Sequence, residues 1–95
     1  MLDSERAQEL ADILREAGAA HHQAFIDVDG ADPEWAFWYA GHIQERLNEV
    51  LDRTLTWEEI VDLLKAADRQ HRETAAGREW AGFYAEYFLA EMGDA

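Results

Sequence analysis

The sequence predicts an all-α fold, a four-helix bundle made of two αα-hairpins. Apolar residues recur at spacings of three and four in four stretches of the chain, which is the period of one buried helical face. Apolar and polar residues do not alternate as they do in strands, and the only proline, Pro33, lies where a helix is expected to begin. The 95 residues are expected to fold as a single domain spanning positions 1–95.

The first helix is predicted over positions 4–26, and Asp3 or Ser4 can cap its N-terminus. Gly18 weakens this helix and permits either the close approach of a neighbour or a kink. The acidic segment 27–32 then interrupts the helix. The predicted buried stripe consists of Leu10, Ile13, Leu14, Ala17, Ala20, His21, Ala24 and Phe25.

The second helix is predicted to run from Pro33 to Leu51 and to complete a first hairpin over positions 4–51. Asp32 can cap its free N–H groups, and proline suits the first helical position. The predicted inner stripe consists of Ala36, Ala40, Ile43, Leu47 and Val50. Aromatic residues crowd the first turns of this helix, at Trp35, Phe37, Trp38 and Tyr39.

A second hairpin is predicted over positions 56–92, and its first helix carries a recognisable start signal. Thr56 and Glu59 match a capping box, in which each side chain accepts a hydrogen bond from the other residue's backbone N–H. The helix should end near Ala75, because Gly77 follows. The predicted buried face consists of Trp57, Ile60, Val61, Leu64, Ala67 and His71.

The fourth helix is predicted over positions 78–92, and positions 93–95 are expected to form a frayed tail. Its aromatic start repeats the start of the second helix, since segments 34–40 and 79–85 share Glu, Trp, Ala, Tyr and Ala at matching places. Duplication of a hairpin about a pseudo-twofold axis explains this repeat. Convergence on the same packing solution is the alternative. The predicted core residues of the fourth helix are Trp80, Ala81, Tyr84, Tyr87, Phe88 and Met92.

The formal net charge of −13 is the strongest signal in the composition. Nucleic acid and anionic membrane are therefore poor partners, because both would be repelled. A solubilising surface, a docking face for a basic partner and adaptation to high salt remain as explanations. No run reaches the ~18 apolar residues that suggest a membrane span, so the cytoplasm is the expected location. The absence of cysteine excludes disulfides and thiolate chemistry.

A candidate ligand pocket is predicted between the hairpins, where the far ends of helices one and three approach the aromatic starts of helices two and four. Aromatic walls with a few convergent polar groups are typical of small-molecule sites. The alternative is that each inward histidine is satisfied in the core by a tyrosine hydroxyl or a backbone carbonyl. The candidate pocket residues are His21, Trp35, Trp38, Tyr39, His42, His71, Trp80 and Tyr84.

No metal or other cofactor is predicted. Carboxylate-bridged di-iron bundles place Glu three residues before His, and Asp68 before His71 is the nearest match. The loop that begins at Asp27 departs from the calcium-binding EF-hand pattern at positions five, six and twelve of that pattern. No glycine-rich phosphate loop is present. Acid/base chemistry by His21 or His71 stays open as the one catalytic possibility.

The favoured function is a small acidic interaction module that self-associates as a homodimer or docks a protein partner through exposed aromatic residues. Phe37 and Trp38 are the candidate interface residues, because Phe37 lies off the inner stripe and aromatic residues are favoured at interface hot spots. The alternative is ligand binding or acid/base catalysis in the pocket between the hairpins. A third hypothesis is a nucleic-acid mimic, although the acidic residues form no clear stripe.

The run from Ala31 to Ala40, with the pattern Ala-Asp-Pro-x-Trp-x-x-Trp-Tyr-Ala, resembles segments of small uncharacterised bacterial all-helical proteins. The resemblance covers the first half of the chain. It implies a helical fold and brings no activity with it.

Overall fold

The computed structural model describes residues 2–28 and 33–92. This part of the chain forms four α-helices and a short 3-10 turn. α1 packs against α2 and α4, and α3 packs against the same two helices, so the predicted four-helix bundle is confirmed. The elements are α1 (Leu2–Ala24), the 3-10 turn (Ile26–Val28), α2 (Trp35–Leu51), α3 (Trp57–Thr74) and α4 (Trp80–Met92).

The core is a single cluster to which every α-helix contributes. Alanines line the core where α2 and α4 begin, at Ala36, Ala40, Ala81 and Ala85. Small residues let the helix backbones approach closely, which leaves room for aromatic rings at the margin of the core. The fully buried residues include Leu10, Leu14, Ala17, Ala40, Ile43, Leu47, Ile60, Leu64, Ala67, Ala81, Ala85 and Phe88.

Several residues of the predicted stripes lie nearer the surface than expected. Ala24 is exposed because α1 ends there, and Ile13, Ala20 and Phe25 are half-buried. In α2, Leu51 is buried and Val50 is only half-buried. Trp80, Tyr87 and Met92 pack against the core from its margin and are half-buried.

The predicted starts of the first two helices are wrong. α1 already begins at Leu2, so the backbone of Asp3 and Ser4 lies within the helix and not before it. α2 begins at Trp35, and Pro33 lies in the turn before it. The Glu34 carbonyl accepts hydrogen bonds from the backbone N–H groups of the residues three and four positions later, which starts the helical pattern there. The predicted cap at Asp32 and the predicted tail at 93–95 lie outside the described residues.

The capping box predicted for α3 is confirmed. The Glu59 N–H donates to Oγ1 of Thr56 at 3.2 Å, and the Thr56 N–H donates to Oε1 of Glu59 at 2.9 Å. The preceding loop is fixed to α2 because the Asn48 side chain pairs with both backbone groups of Leu55. These two hydrogen bonds attach the loop between α2 and α3 to the side of α2.

α4 begins two residues later than predicted, at Trp80. The Glu79 carboxylate accepts hydrogen bonds from the Gly82 N–H at 3.0 Å and the Ala81 N–H at 3.3 Å, so Glu79 caps the helix with its side chain. Arg78 stays in the preceding turn, where its N–H donates to the Ala75 carbonyl. Glutamate is not among the preferred capping residues, which explains why the sequence pattern did not reveal this cap.

Candidate functional site

Aromatic residues of α2 and α4 meet because helical spacing aligns them. Trp35 and Tyr39 are four residues apart on α2, and Trp80 and Tyr84 are four residues apart on α4, so each pair projects from one side of its helix. The ring centroids of Tyr39 and Trp80 lie 6.3 Å apart, which joins the two helices at this point.

These four rings stand nearly perpendicular to one another in succession. The interplanar angle is 85° between Trp35 and Tyr39, 83° between Tyr39 and Trp80, and 81° between Trp80 and Tyr84. Edge-to-face pairs of this kind are favourable because the positive ring edge meets the negative ring face. The arrangement makes these four side chains the walls of a small, half-open enclosure.

Asp68 of α3 completes this enclosure. It lines, with the four rings, a cleft of about 160 Å³ that we call the aromatic cleft, with walls Trp35, Tyr39, Asp68, Trp80 and Tyr84. Four of its five walls belong to the predicted pocket residues. Asp68 is not among the residues predicted for the pocket. The signal for it in the sequence is its position three residues before His71, which places both side chains on one face of α3.

The two phenols of the aromatic cleft stay protonated over a wide pH range. The Tyr84 hydroxyl donates a hydrogen bond of 2.9 Å to Oδ1 of Asp68. Burial raises the pKa of Tyr84, and the hydrogen bond to Asp68 raises it further. Burial also raises the pKa of Tyr39. The only formal charge on the walls is therefore the carboxylate of Asp68, whose other oxygen pairs with Arg72 at 3.0 Å.

His21 lies beside the aromatic cleft without lining it. Its side chain is buried, at 8% exposed, and its ring centroid lies 4.7 Å from that of Phe25, 5.1 Å from Trp38 and 5.2 Å from Tyr39. These contacts make His21 the packing centre of an aromatic cluster at the end of α1.

His42 lies on the surface of the bundle. Its ring stacks on Trp38 with centroids 4.9 Å apart and an interplanar angle of 13°. Its Nε2 lies 3.3 Å from Oε1 of Glu16, which also accepts a hydrogen bond of 2.7 Å from Arg46. The bond from Arg46 lowers the pKa of Glu16, and the bond with His42 lowers it further. The structure does not bring His42 into the aromatic cleft.

His71 is held by the turn between α3 and α4. Its Nε2 lies 2.8 Å from the Arg78 carbonyl oxygen, and because a carbonyl can only accept, the proton is on Nε2. Its ring also contacts Phe83 and Tyr84 edge-on, at 5.3 and 6.2 Å. His71 therefore follows the alternative prediction, in which an inward histidine is satisfied by a backbone carbonyl.

The ring contacts in the two hairpins correspond. His21 contacts Trp38 and Tyr39, and His71 contacts Phe83 and Tyr84, at the positions that the sequence repeat aligns. An offset of 50 residues aligns α3 with α1, so that His71 corresponds to His21 and Asp68 to Gly18. The two hairpins differ at this second pair of positions. A Cβ atom placed on Gly18 would lie 3.0 Å from Cζ2 of Trp80, so the missing side chain makes room for this ring.

A second feature is a group of aromatic residues at the surface, of which two are exposed and two are half-buried. We call this group the outer aromatic surface, made of Phe25, Phe37, Trp38 and Trp57. Phe37 is 45% exposed and Trp57 is 48% exposed. A shallow groove of about 440 Å³ runs across this surface, and Glu34 and Gly41 complete its lining.

The prediction that Trp57 faces the core is wrong. Its indole Nε1–H donates a hydrogen bond of 2.8 Å to Oε1 of Gln44 on α2. A Cβ atom placed on Gly41 would lie 3.2 Å from Cζ2 of Trp57, so the ring covers the bare backbone of α2 at this glycine. Periodicity within α3 could not reveal this, because the side chain is directed by two residues of another helix.

Within 2–28 and 33–92, no group of three histidine, aspartate or glutamate side chains is placed to hold a metal ion. None of the helices in these ranges is both long enough and apolar enough to cross a bilayer.

A further surface cleft of about 480 Å³, beside Arg6 and Asp52, is lined by no aromatic residue.

Comparison with protein-family models, with curated proteins and with solved structures gives no match to this chain. Fold and site together define a small acidic helical bundle with one half-open aromatic cleft and one aromatic surface. Functional conclusions therefore depend on the geometry of these two features.

Proposed function

We propose that the protein is an interaction module that docks a protein partner on the outer aromatic surface. The observation that carries this proposal is the exposure of Phe37 and Trp57 next to Phe25 and Trp38 along one groove. Large exposed aromatic side chains in a group are unusual on a monomer and are enriched at interface hot spots. Packing does not require Phe37 to be aromatic, because nearly half of its surface is exposed to solvent.

The negative charge of the protein favours a partner segment with basic side chains. The chain carries a formal net charge of −13, and Glu34 lines the groove while no basic residue does. A partner segment with an apolar anchor and flanking basic side chains complements this surface. A second copy of the chain would bring like charges together, so the homodimer is the less favoured form of the same proposal.

The test uses two synthetic peptides with the same apolar residues, one with lysine and one with glutamate at the flanking positions. We expect the basic peptide to bind and the acidic peptide to fail, with Trp fluorescence as the readout. Phe37→Ser should abolish most of the binding, and Leu89→Ser on α4 is the matched control, because Leu89 is half-buried away from the groove. Equal binding of both peptides would contradict the role of charge.

Self-association is measured in the same experiment by light scattering over a range of concentrations. A dimer that Phe37→Ser dissociates would support the homodimer form of the proposal. A monomer at every concentration that also binds neither peptide would refute the proposal in both forms.

A second candidate function is small-molecule binding in the aromatic cleft. The observation that favours it is the lining of one half-open cleft by four aromatic rings and one carboxylate. Apolar walls with one directing polar group are what ligand sites commonly contain. Because no histidine lines this cleft, the second candidate is a binding function and does not include acid/base catalysis by His21 or His71.

A further inference from the structure

From the chemistry of its walls, we infer that the aromatic cleft is a site for a small methylated ammonium cation, with choline as its representative. This inference rests on the second candidate function and names the ligand class for that site. Its basis is the juxtaposition of four aromatic rings with the carboxylate of Asp68 around one cavity.

The rings supply the attraction. Each aromatic face carries negative charge density, and a cation within about 6 Å of a ring centroid is stabilised by it. Successive rings in the cleft are 5.8, 6.3 and 5.3 Å apart from centroid to centroid. A methylated ammonium group is roughly spherical, so it can contact several perpendicular walls at once. A planar ligand would match only one of them.

The charge of the protein and the volume of the cleft further restrict the class of ligand. Asp68 is the only charged wall residue, and the chain as a whole carries −13, so anions are repelled and cations are concentrated near the protein. The cavity of about 160 Å³ is well below the ~300–1,000 Å³ of pockets for drug-sized ligands. A small cation with a few carbon atoms around one nitrogen is small enough for a cavity of this volume.

Arg72 modulates the site from outside. Its guanidinium donates to Oδ2 of Asp68 at 3.0 Å, and its side chain is 69% exposed. It therefore competes with a bound cation for the same carboxylate. Removing the charge of Arg72 should tighten cation binding, an effect that loss of packing would not produce.

The test is an NMR titration of the native protein with tetramethylammonium and with choline. Ring currents should shift the methyl resonances of the bound cation upfield, because the methyl groups lie over ring faces. The matched control is dimethylbutanol, the neutral analogue in which carbon replaces the choline nitrogen. Phosphocholine distinguishes a lipid headgroup from the free cation, and we expect it to bind more weakly because its phosphate is repelled.

Variants assign the binding to the cleft. Trp80→Leu should weaken choline binding by at least about fivefold, and Trp57→Leu, which removes an exposed tryptophan outside the cleft, should leave it unchanged. Asp68→Asn should weaken binding, and Arg72→Gln should strengthen it. Arg72→Gln keeps the test decisive if Trp80→Leu fails to fold, because Arg72 lies on the surface.

The possible results distinguish the proposed ligand class, a methylated ammonium cation, from the proposal that the cleft binds a small molecule. Equal binding of choline and dimethylbutanol would overturn the cation inference and leave the small-molecule site standing. Tighter binding of phosphocholine than of choline would overturn the assignment to a free cation. Absence of binding by all four probes at high millimolar concentration would overturn both the ligand class and the site.

Discussion

Tyr84 and Asp68 join α4 to α3 through a hydrogen bond of 2.9 Å between a buried hydroxyl and a carboxylate. The bond lies in a wall of the aromatic cleft, so it fixes both the orientation of the ring and the position of the charge. The stability of the bundle and the shape of its candidate ligand site therefore depend on the same contact.

Replacing Tyr84 by Phe should lower the free energy of unfolding by ~1–2 kcal/mol. A hydrogen bond to a charged group contributes ~1.5–3 kcal/mol, and the partial exposure of Asp68 places the expected loss toward the lower end. Urea denaturation measures the change. The control is Tyr87→Phe, a half-buried tyrosine on the same helix, for which we expect a smaller loss. An equal loss in both variants would show that the bond to Asp68 adds nothing.

Stability should fall at alkaline pH because of the same tyrosine. Burial and the bond to Asp68 raise the pKa of Tyr84 above the ordinary tyrosine value of 10.0, and burial raises the pKa of Tyr39. Above pH 10 the unfolded chain loses the phenol proton while the folded chain keeps it, so stability falls as the pH rises toward the folded pKa. Thermal unfolding measured across this range should show a shallower decline in Tyr84→Phe than in the native protein.

Glu79 should contribute to stability at neutral pH and lose that contribution in acid. Arg15 donates two hydrogen bonds to its carboxylate, at 2.8 and 3.1 Å, and lowers its pKa. A carboxyl group with a depressed folded pKa stabilises above the unfolded pKa, and its contribution disappears as the pH falls through the folded value.

Glu79→Ala should cost about 1 kcal/mol at neutral pH through the loss of the helix cap. Thermal melts between neutral and acid pH should converge for the native protein and this variant. Glu86→Ala is the control, because Glu86 also pairs with an arginine, Arg78, but caps no helix. A pH-independent difference between Glu79→Ala and the native protein would contradict the role of the carboxylate charge.

Gly18→Ala should leave stability nearly unchanged, although alanine is favoured over glycine in helices by ~1 kcal/mol. The new Cβ would lie 3.0 Å from the Trp80 ring, and the displacement of that ring offsets the helical gain. Urea denaturation of Gly18→Ala measures the change in the free energy of unfolding. Ala19→Gly, at an exposed position on the same helix, measures the helical preference for alanine over glycine where no ring is displaced. A gain of the full helical preference would show that Trp80 moves without penalty.

The sequence predicted the helices because their apolar periodicity is a local property. The stripe from Leu10 to Ala17 and the capping box at Thr56 depend only on residues within a few turns, and both are found in the structure. The grouping of Trp35, Tyr39, Trp80 and Tyr84 was also predictable, because short connections bring the starts of α2 and α4 to one end of the bundle.

Features that depend on contacts between helices could not be read from periodicity. Trp57 lies outside because Gly41 offers it bare backbone and Gln44 accepts its indole proton. Asp68 lines the aromatic cleft because the packing of α3 on α4 brings it within hydrogen-bonding distance of the Tyr84 hydroxyl. The cap supplied by Glu79 was hidden because its residue type is uncommon in that role.

The exchange of Asp68 for Gly18 between the two hairpins has a consequence for stoichiometry. At one position a carboxylate borders an open cavity, and at the corresponding position the Trp80 ring already occupies the space over a bare glycine. Trp35 aligns with Trp80 and Tyr39 with Tyr84, so two copies of the second hairpin would still share one cleft, but that cleft would have two carboxylates. The cleft of this chain has one carboxylate, which can pair with one cation, so we expect a saturation experiment with a cation of the proposed class to reach one equivalent per chain.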